Sequence, residues 1–226
     1  VMRMDTDTIS ATHTHEKMLD RFRHRNVPVL VGTQMVAKGL DFENVTLVGV
    51  ISADQSLYVD DFRAAERTFS LLTQVVGRAG RGVRTGRAII QTYTPQNDVI
   101  LRASEQDYDR FYENEIKLRQ MRGLPPFRDM YVFTLSGLNE GAVLRSCMRL
   151  ADGLRAWQQE KSMQGADLQI LGPAAAPILM VNNRYRYRIT VLGKSGPALR
   201  NMVGFLLKSA HSDQLNRGVS VFADLN

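Results

Sequence analysis

Two adjacent prolines, Pro125 and Pro126, follow Gly123 and Leu124 near the middle of a 226-residue chain. Proline has no amide hydrogen to give a helix or a central strand, and it pushes the residue before it out of the helical region. No regular element is expected to run through this stretch, so the architecture should change here. The residues on its two sides do read differently.

Upstream, short apolar runs alternate with amphipathic ones. Val1–Thr8 reads as a strand end and a polar loop. Residues 14–25 read as a helix with Met18, Leu19 and Phe22 inward. Pro28–Thr33 and Val45–Ser52 read as strands, the second near-continuous in apolar residues, as a strand buried on both faces requires. Asp61–Arg81 follows as a long helix whose stripe is Phe62, Ala65, Phe69, Leu72 and Val76, and Arg87–Tyr93 is the next strand. This alternation predicts a parallel sheet covered by helices over 1–93. Helices at Asp98–Ser104 and Asp107–Met121, the latter burying Tyr108, Phe111, Tyr112 and Ile116, form a connector over 94–126. Downstream, residues 127–226 read strand, helix, strand, strand, helix, strand. The strands are Met130–Ser136, Leu168–Leu171, Arg184–Leu192 and Val219–Asp224. One helix is striped by Val143, Cys147, Leu150, Leu154 and Trp157, and the other is Pro197–Ser209 with Leu199, Met202, Val203 and Leu206 inward. That order predicts a small α+β, ferredoxin-like sandwich.

Composition narrows the class. Apolar residues at 44% and charged ones at 23% are ordinary for a globular chain. No apolar run approaches the roughly 20 residues that span a bilayer, and no signal-peptide pattern opens the chain. A single cysteine, Cys147, excludes an internal disulfide and fits a reducing, cytoplasmic setting without a membrane. Val1 reads as the middle of a domain, so the chain is expected to be a fragment. The net charge of +6 is uneven. Residues 1–126 hold 17 basic and 16 acidic side chains, whereas 127–226 hold 12 and 7. The electrostatic case for a nucleic-acid partner therefore rests on the C-terminal part.

The stretch Gln74-Val75-Val76-Gly77-Arg78-Ala79-Gly80-Arg81-Gly82 carries the clearest chemistry. Positions i and i+3 share a helix face, so Arg78 and Arg81 can address one polyanion. Gly77 and Gly80 lack the Cβ atoms that would hold a neighbouring backbone away. Guanidinium is a permanent, planar fork matched to phosphate oxygens, which suits stabilisation of a transferring γ-phosphate. The alternative is a basic helix end capped by glycine. It leaves Gly77 inside a helix without a reason, at a cost of about 1 kcal/mol relative to alanine.

Gln-x-x-Gly-Arg-x-Gly-Arg resembles the last motif of superfamily 2 helicases, and Gly32-Thr33-Gln34-Met35-Val36-Ala37-Lys38-Gly39-Leu40-Asp41-Phe42 resembles the motif before it. With Asp61-Phe62-Arg63-Ala64-Ala65-Glu66-Arg67 and Leu124-Pro125-Pro126-Phe127, the wording is similar to the C-terminal part of the primosomal protein N′ family, the PriA-type replication-restart DNA helicases. The resemblance implies a partial, second RecA-like motor lobe followed by the basic α+β domain. It places Thr33, Gln34 and Lys38 by the nucleic-acid backbone, Gly39, Asp41 and Gly77 by the nucleotide with Asp41 on the ribose, and Gln74, Arg78 and Arg81 in catalysis of ATP hydrolysis. Read without the family, Thr33 is a helix cap and Asp41 a surface acid. The loop near Leu57-Tyr58 either approaches DNA, couples the lobes, or simply packs.

A phosphate-cradling loop needs Gly-x-x-x-x-Gly-Lys-[Ser/Thr]. Gly193-Lys194-Ser195 imitates its end, but position 188 is arginine where glycine is required. Asp54 imitates a magnesium-binding aspartate without a phosphate loop beside it. ATP and Mg²⁺ are therefore expected to be held mainly by an N-terminal lobe outside this sequence, and the fragment alone should lack ATPase activity. His13 and His15 have no third ligand in view, so no metal is assigned. The resemblance implies zinc only in an upstream cysteine cluster.

In Asn182-Asn183-Arg184-Tyr185-Arg186-Tyr187-Arg188, strict alternation puts the arginines on one face of a strand and the tyrosines on the other. Arginines can track phosphates while tyrosines stack on bases; equally, the tyrosines can be core. The resemblance further implies branched and single-stranded DNA, other primosome proteins and the acidic tail of single-stranded DNA-binding protein as partners, with Lys194 and Arg200 as candidates for the tail carboxylate. Two rival readings are another superfamily 2 DNA or RNA translocase lobe and a non-catalytic nucleic-acid-binding module.

Overall fold

The computed structural model describes residues 1–4, 18, 20–22, 27–33, 45–77, 86–160 and 167–226. Contacts divide the chain into two units, Val1–Glu115 and Ile116–Asn226.

In the first unit, β1 (Met2–Met4) pairs in parallel with β2 (Leu30–Gly32), and β3 (Leu47–Val50) pairs in parallel with β4 (Arg87–Ile90). Parallel neighbours require a crossover, and between β3 and β4 it contains α1 (Asp54–Leu57) and α2 (Ala64–Val76). α2 buries Ala64, Thr68, Phe69 and Leu72. α3 (Asp98–Glu105) begins where the Asn97 side chain accepts from the Val99 amide at 3.0 Å and ends at Gln106, whose φ is 57°. α4 (Tyr108–Arg122) adds Phe111, which stacks on Phe69 at 4.1 Å between centroids. Ala53, Phe69, Leu72, Ile100, Ala103 and Phe111 form the core of this unit.

Two expectations change here. Tyr108 and Tyr112 are exposed rather than buried, and only Phe111 of α4 is fully enclosed. Charged side chains at seven of the fifteen α4 positions leave too narrow an apolar line for more. Leu47 and Ile51, on a stretch expected to be covered on both faces, are also exposed. The described helices of the β3–β4 crossover belong to the core that Val50 and Ile90 pack against.

The second unit holds β5 (Asp129–Gly137), α5 (Glu140–Gln158), β6 (Gln169–Val181), β7 (Arg184–Gly193), α6 (Pro197–Ser212) and β8 (Val219–Leu225). The sheet order is β6-β7-β5-β8, antiparallel throughout. Phe133, Leu135, Ile189, Val191 and Val221 project from one face into the stripes of α5 (Val143, Cys147, Leu150, Leu154) and α6 (Leu199, Met202, Val203, Leu206), forming one core. Asn139 starts α5 by accepting from the Ala142 amide at 2.9 Å.

β6 is far longer than its expected four residues. It runs through Pro173 and Pro177 because β6 lies at the sheet edge, where a missing amide hydrogen is tolerated. Its pairing with β7 slips twice, between Leu171 and Ala174 and between Ala175 and Met180. At the first slip Gly172 takes φ 103°, and a Cβ there would lie 2.9 Å from the Arg188 carbonyl oxygen. Asn182 and Asn183 both have positive φ, 49° and 59°, and form the two-residue turn of the β6–β7 hairpin.

Candidate functional site

The helicase-like stretch begins on described residues and continues beyond them. Gln74, exposed on the last turn of α2, donates from Nε2 to Ser70 Oγ at 3.2 Å, and its side chain has no other hydrogen bond among the described residues. Gly77 closes the helix with φ −67° and its amide on the Thr73 carbonyl at 3.0 Å. That conformation suits any residue, so glycine is not needed here as a left-handed cap. A Cβ would instead come within 3.2 Å of the Thr73 oxygen and 3.4 Å of Gln106 Nε2. Thr33 is exposed directly after β2. Gln34, Lys38, Gly39, Asp41, Arg78 and Arg81, together with His13 and His15, lie outside the described residues.

At the C-terminal ends of β3 and β4, Asp54 joins two loops. One carboxylate oxygen accepts from Thr92 Oγ1 and Thr94 Oγ1, both at 2.8 Å, and the other accepts from the Tyr93 amide at 2.9 Å. The amide of Tyr93 acts most strongly to hold this carboxyl below the usual aspartate range; burial opposes it, and the hydroxyls of Thr94 and Thr92 add to the lowering. Thr94 Oγ1 also receives the Tyr58 hydroxyl at 3.3 Å. Three hydrogen bonds thus tie Asp54 to the loop after β4, a structural role that needs no metal. Among the described residues no cluster of three or more His, Cys, Asp or Glu side chains could hold a metal.

The β7 row is sorted by register. Tyr185 and Tyr187 stand opposite Gly137 and Leu135 on the helix-covered face, and Arg184, Arg186 and Arg188 take the other face. Tyr187 packs against the core, and its hydroxyl donates to Glu140 Oε1 at 2.7 Å. Arg184 is engaged within the sheet: Nη2 donates to the Ser136 carbonyl at 2.9 Å and to Ser220 Oγ at 3.1 Å. Arg186 has no hydrogen-bond partner or ion pair among the described residues, and Arg188 stands beside Thr134. Lys194 and Arg200 flank the start of α6, both exposed, but the Asp129 carboxylate is there too, accepting from Ser195 Oγ.

Residues 5–83 match the model of the helicase conserved C-terminal domain, and residues 120–226 match that of the primosomal protein N C-terminal domain. Over all 226 residues the chain is 41% identical to the replication restart protein PriA of Bacillus subtilis. The chain belongs to the PriA family. It is also 40% identical to the PriA protein of Synechocystis over 84% of its length and 37% identical to that of Treponema pallidum over 89%. It spans 27%, 22% and 30% of these three relatives, about a quarter of a full-length member. The first family model contains the Gln74–Arg81 stretch, and the second contains the β7 arginines.

The Asp54 clamp escapes sequence reading because its threonines lie 38 and 40 residues away, with only a strand end to announce them. Phe222 is a second residue that the site motifs do not include. The alternation Val219-Ser220-Val221-Phe222-Ala223 was signal enough to place it opposite the core.

Proposed function

We propose that this chain supplies the second motor lobe and the DNA- and partner-binding domain of an ATP-dependent DNA helicase, one that moves 3′ to 5′ and restarts stalled replication forks by primosome assembly. The observation that carries the reading is the coexistence, in one chain, of a helicase C-terminal domain holding Gln74–Arg81 and the primosomal C-terminal domain. The parallel β3–α2–β4 crossover supports a RecA-like lobe over 1–93, followed by a helical connector over 94–126. The β6-β7-β5-β8 order with both long helices on one face supports a ferredoxin-like domain over 127–226.

In this reading Arg78 and Arg81 meet the γ-phosphate of ATP, Gln74 relays its presence to the other lobe, and Gly39, Asp41 and Gly77 border the nucleotide. The exposed amide of Gln74, bonded only to Ser70 among the described residues, fits that role. Mg²⁺ and the phosphate cradle belong to an N-terminal lobe, because this sequence has no Gly-x-x-x-x-Gly-Lys-[Ser/Thr] and Asp54 is tied to Thr92, Tyr93 and Thr94 with no phosphate loop beside it. The chain by itself is therefore inactive as an ATPase, and zinc belongs to a cysteine cluster upstream. Thr33, Gln34 and Lys38 border the DNA backbone. The β7 arginines carry nucleic-acid contact in the second domain, with Arg186 better placed than the engaged Arg184. Branched and single-stranded DNA, the acidic tail of single-stranded DNA-binding protein at Lys194 and Arg200, and other primosome proteins are the partners, in the cytoplasm.

Arg81→Ala in the full-length enzyme tests the motor assignment. Removing a transition-state donor lowers turnover about 100-fold or more. DNA-stimulated ATP hydrolysis should collapse while DNA affinity changes little; near-normal turnover would refute the assignment.

A further inference from the structure

The sheet of the second unit has one face that neither α5 nor α6 covers. Register fixes what stands on it. Across the strands, Phe222 of β8, Thr134 of β5, Arg188 of β7 and Ala174 of β6 form one row, and Ser220, Ser136 and Arg186 form the next. Phe222 is 44% exposed and belongs to no buried cluster, whereas its neighbours Val221 and Ala223 pack into the core. An exposed aromatic ring thus shares a face with three arginines. Strands lie about 4.8 Å apart, so Phe222 and Arg188, two strands away, are about 10 Å apart at the backbone, within joint reach of one extended strand.

The charge of the face selects its occupant. Arg184, Arg186 and Arg188 face a single acid on the same side of β8, Asp224, in a domain with 12 basic and 7 acidic residues. A duplex conceals the faces of its bases, so an isolated ring gains nothing from it; a single strand can lay a base on the ring while its phosphates meet guanidinium groups. The tyrosines of β7 are on the wrong side for this.

We infer that the helix-free sheet face is a platform for single-stranded DNA, with Phe222 stacking on a base and Arg186 pairing with the backbone. The inference rests on the nucleic-acid reading of this domain and adds the surface, the stacking residue and the preference for single strands. Arg184, bracketed by Ser136 and Ser220, keeps β5, β7 and β8 flush beneath the strand.

The test is fluorescence anisotropy on the 226-residue chain with labelled oligo(dT) and with a duplex of equal length, alongside ultraviolet crosslinking to oligo(dT) read by peptide mass spectrometry. Phe222→Leu, which keeps an apolar side chain on the strand, should weaken oligo(dT) binding about 5- to 100-fold and leave duplex binding nearly unchanged, and Phe222→Trp should restore it. Arg186→Gln should lower the logarithmic salt slope by about 0.7. The crosslink should map to Phe222, and thermal unfolding checks that each variant is folded. If the chain binds oligo(dT) but neither Phe222→Leu nor Arg186→Gln alters binding, the platform is wrong while nucleic-acid binding stands. If only Arg186→Gln has an effect, stacking is refuted. If the chain binds neither probe, this inference and the reading beneath it both fall.

Discussion

The Tyr187 hydroxyl donates a 2.7 Å hydrogen bond to Glu140, joining the middle of β7 to the first turn of α5. A ring tied down in this way serves the fold beneath the sheet, and the alternation Arg-Tyr-Arg-Tyr-Arg puts the tyrosines on the helix-covered side and the arginines on the other.

This bond sets a pH dependence. Hydrogen bonding to Glu140, then burial, raises the Tyr187 phenol above its ordinary value of 10.0. A raised folded-state value means that the contribution to stability is complete below about pH 10 and is lost as pH rises through the folded-state value. Spectrophotometric titration of the chain should show a late-ionising phenol that disappears in Tyr187→Phe. A titration curve unchanged in shape after that substitution would show that the bond is not formed in solution.

Asp54 should behave in the opposite sense. Its carboxyl is held below the ordinary 3.8, so the tie between the two loops is complete above that pH and fails as pH falls through the lower folded-state value. Asp54→Asn keeps one acceptor oxygen for three donors. The Tyr93 amide should then exchange with solvent faster than in the parent chain at neutral pH, as measured by hydrogen exchange. Equal protection in the two proteins would show that Asp54 does not hold the loop.

Gly172→Ala should be among the most damaging single-methyl changes in the second unit. The φ of 103° is one that alanine rarely adopts, and its Cβ would meet the Arg188 carbonyl oxygen at 2.9 Å. Strain of this kind costs about 1–3 kcal/mol. Urea unfolding should show a lower midpoint at an unchanged slope. A midpoint equal to that of the parent would mean that β6 does not pass β7 this closely.

Much of this architecture was legible because local periodicity and burial agree. Val143, Cys147, Leu150 and Leu154 lie in the core as their spacing predicts, as do Leu199, Met202, Val203 and Leu206. The sequence misled where tertiary position overrides local preference. Pro173 and Pro177 are permitted because only one side of β6 needs partners, and Tyr108 and Tyr112 stay exposed because their helix is charged on nearly every side. The motif around Gln74 was legible as a candidate from its spaced arginines and glycines alone, and its two arginines lie outside the described residues. Phe222 was not, because a single aromatic gains meaning only from the arginines that pairing brings beside it.

The prolines of β6 bear on assembly as well. A strand lacking two amide hydrogens and twice out of step with its neighbour makes a poor template, so a foreign β-segment gains little by adding itself there. Val219–Leu225, on the opposite flank, contains no proline and runs in unbroken register with β5. Any lateral growth of this sheet, useful or pathological, would have to start from that side.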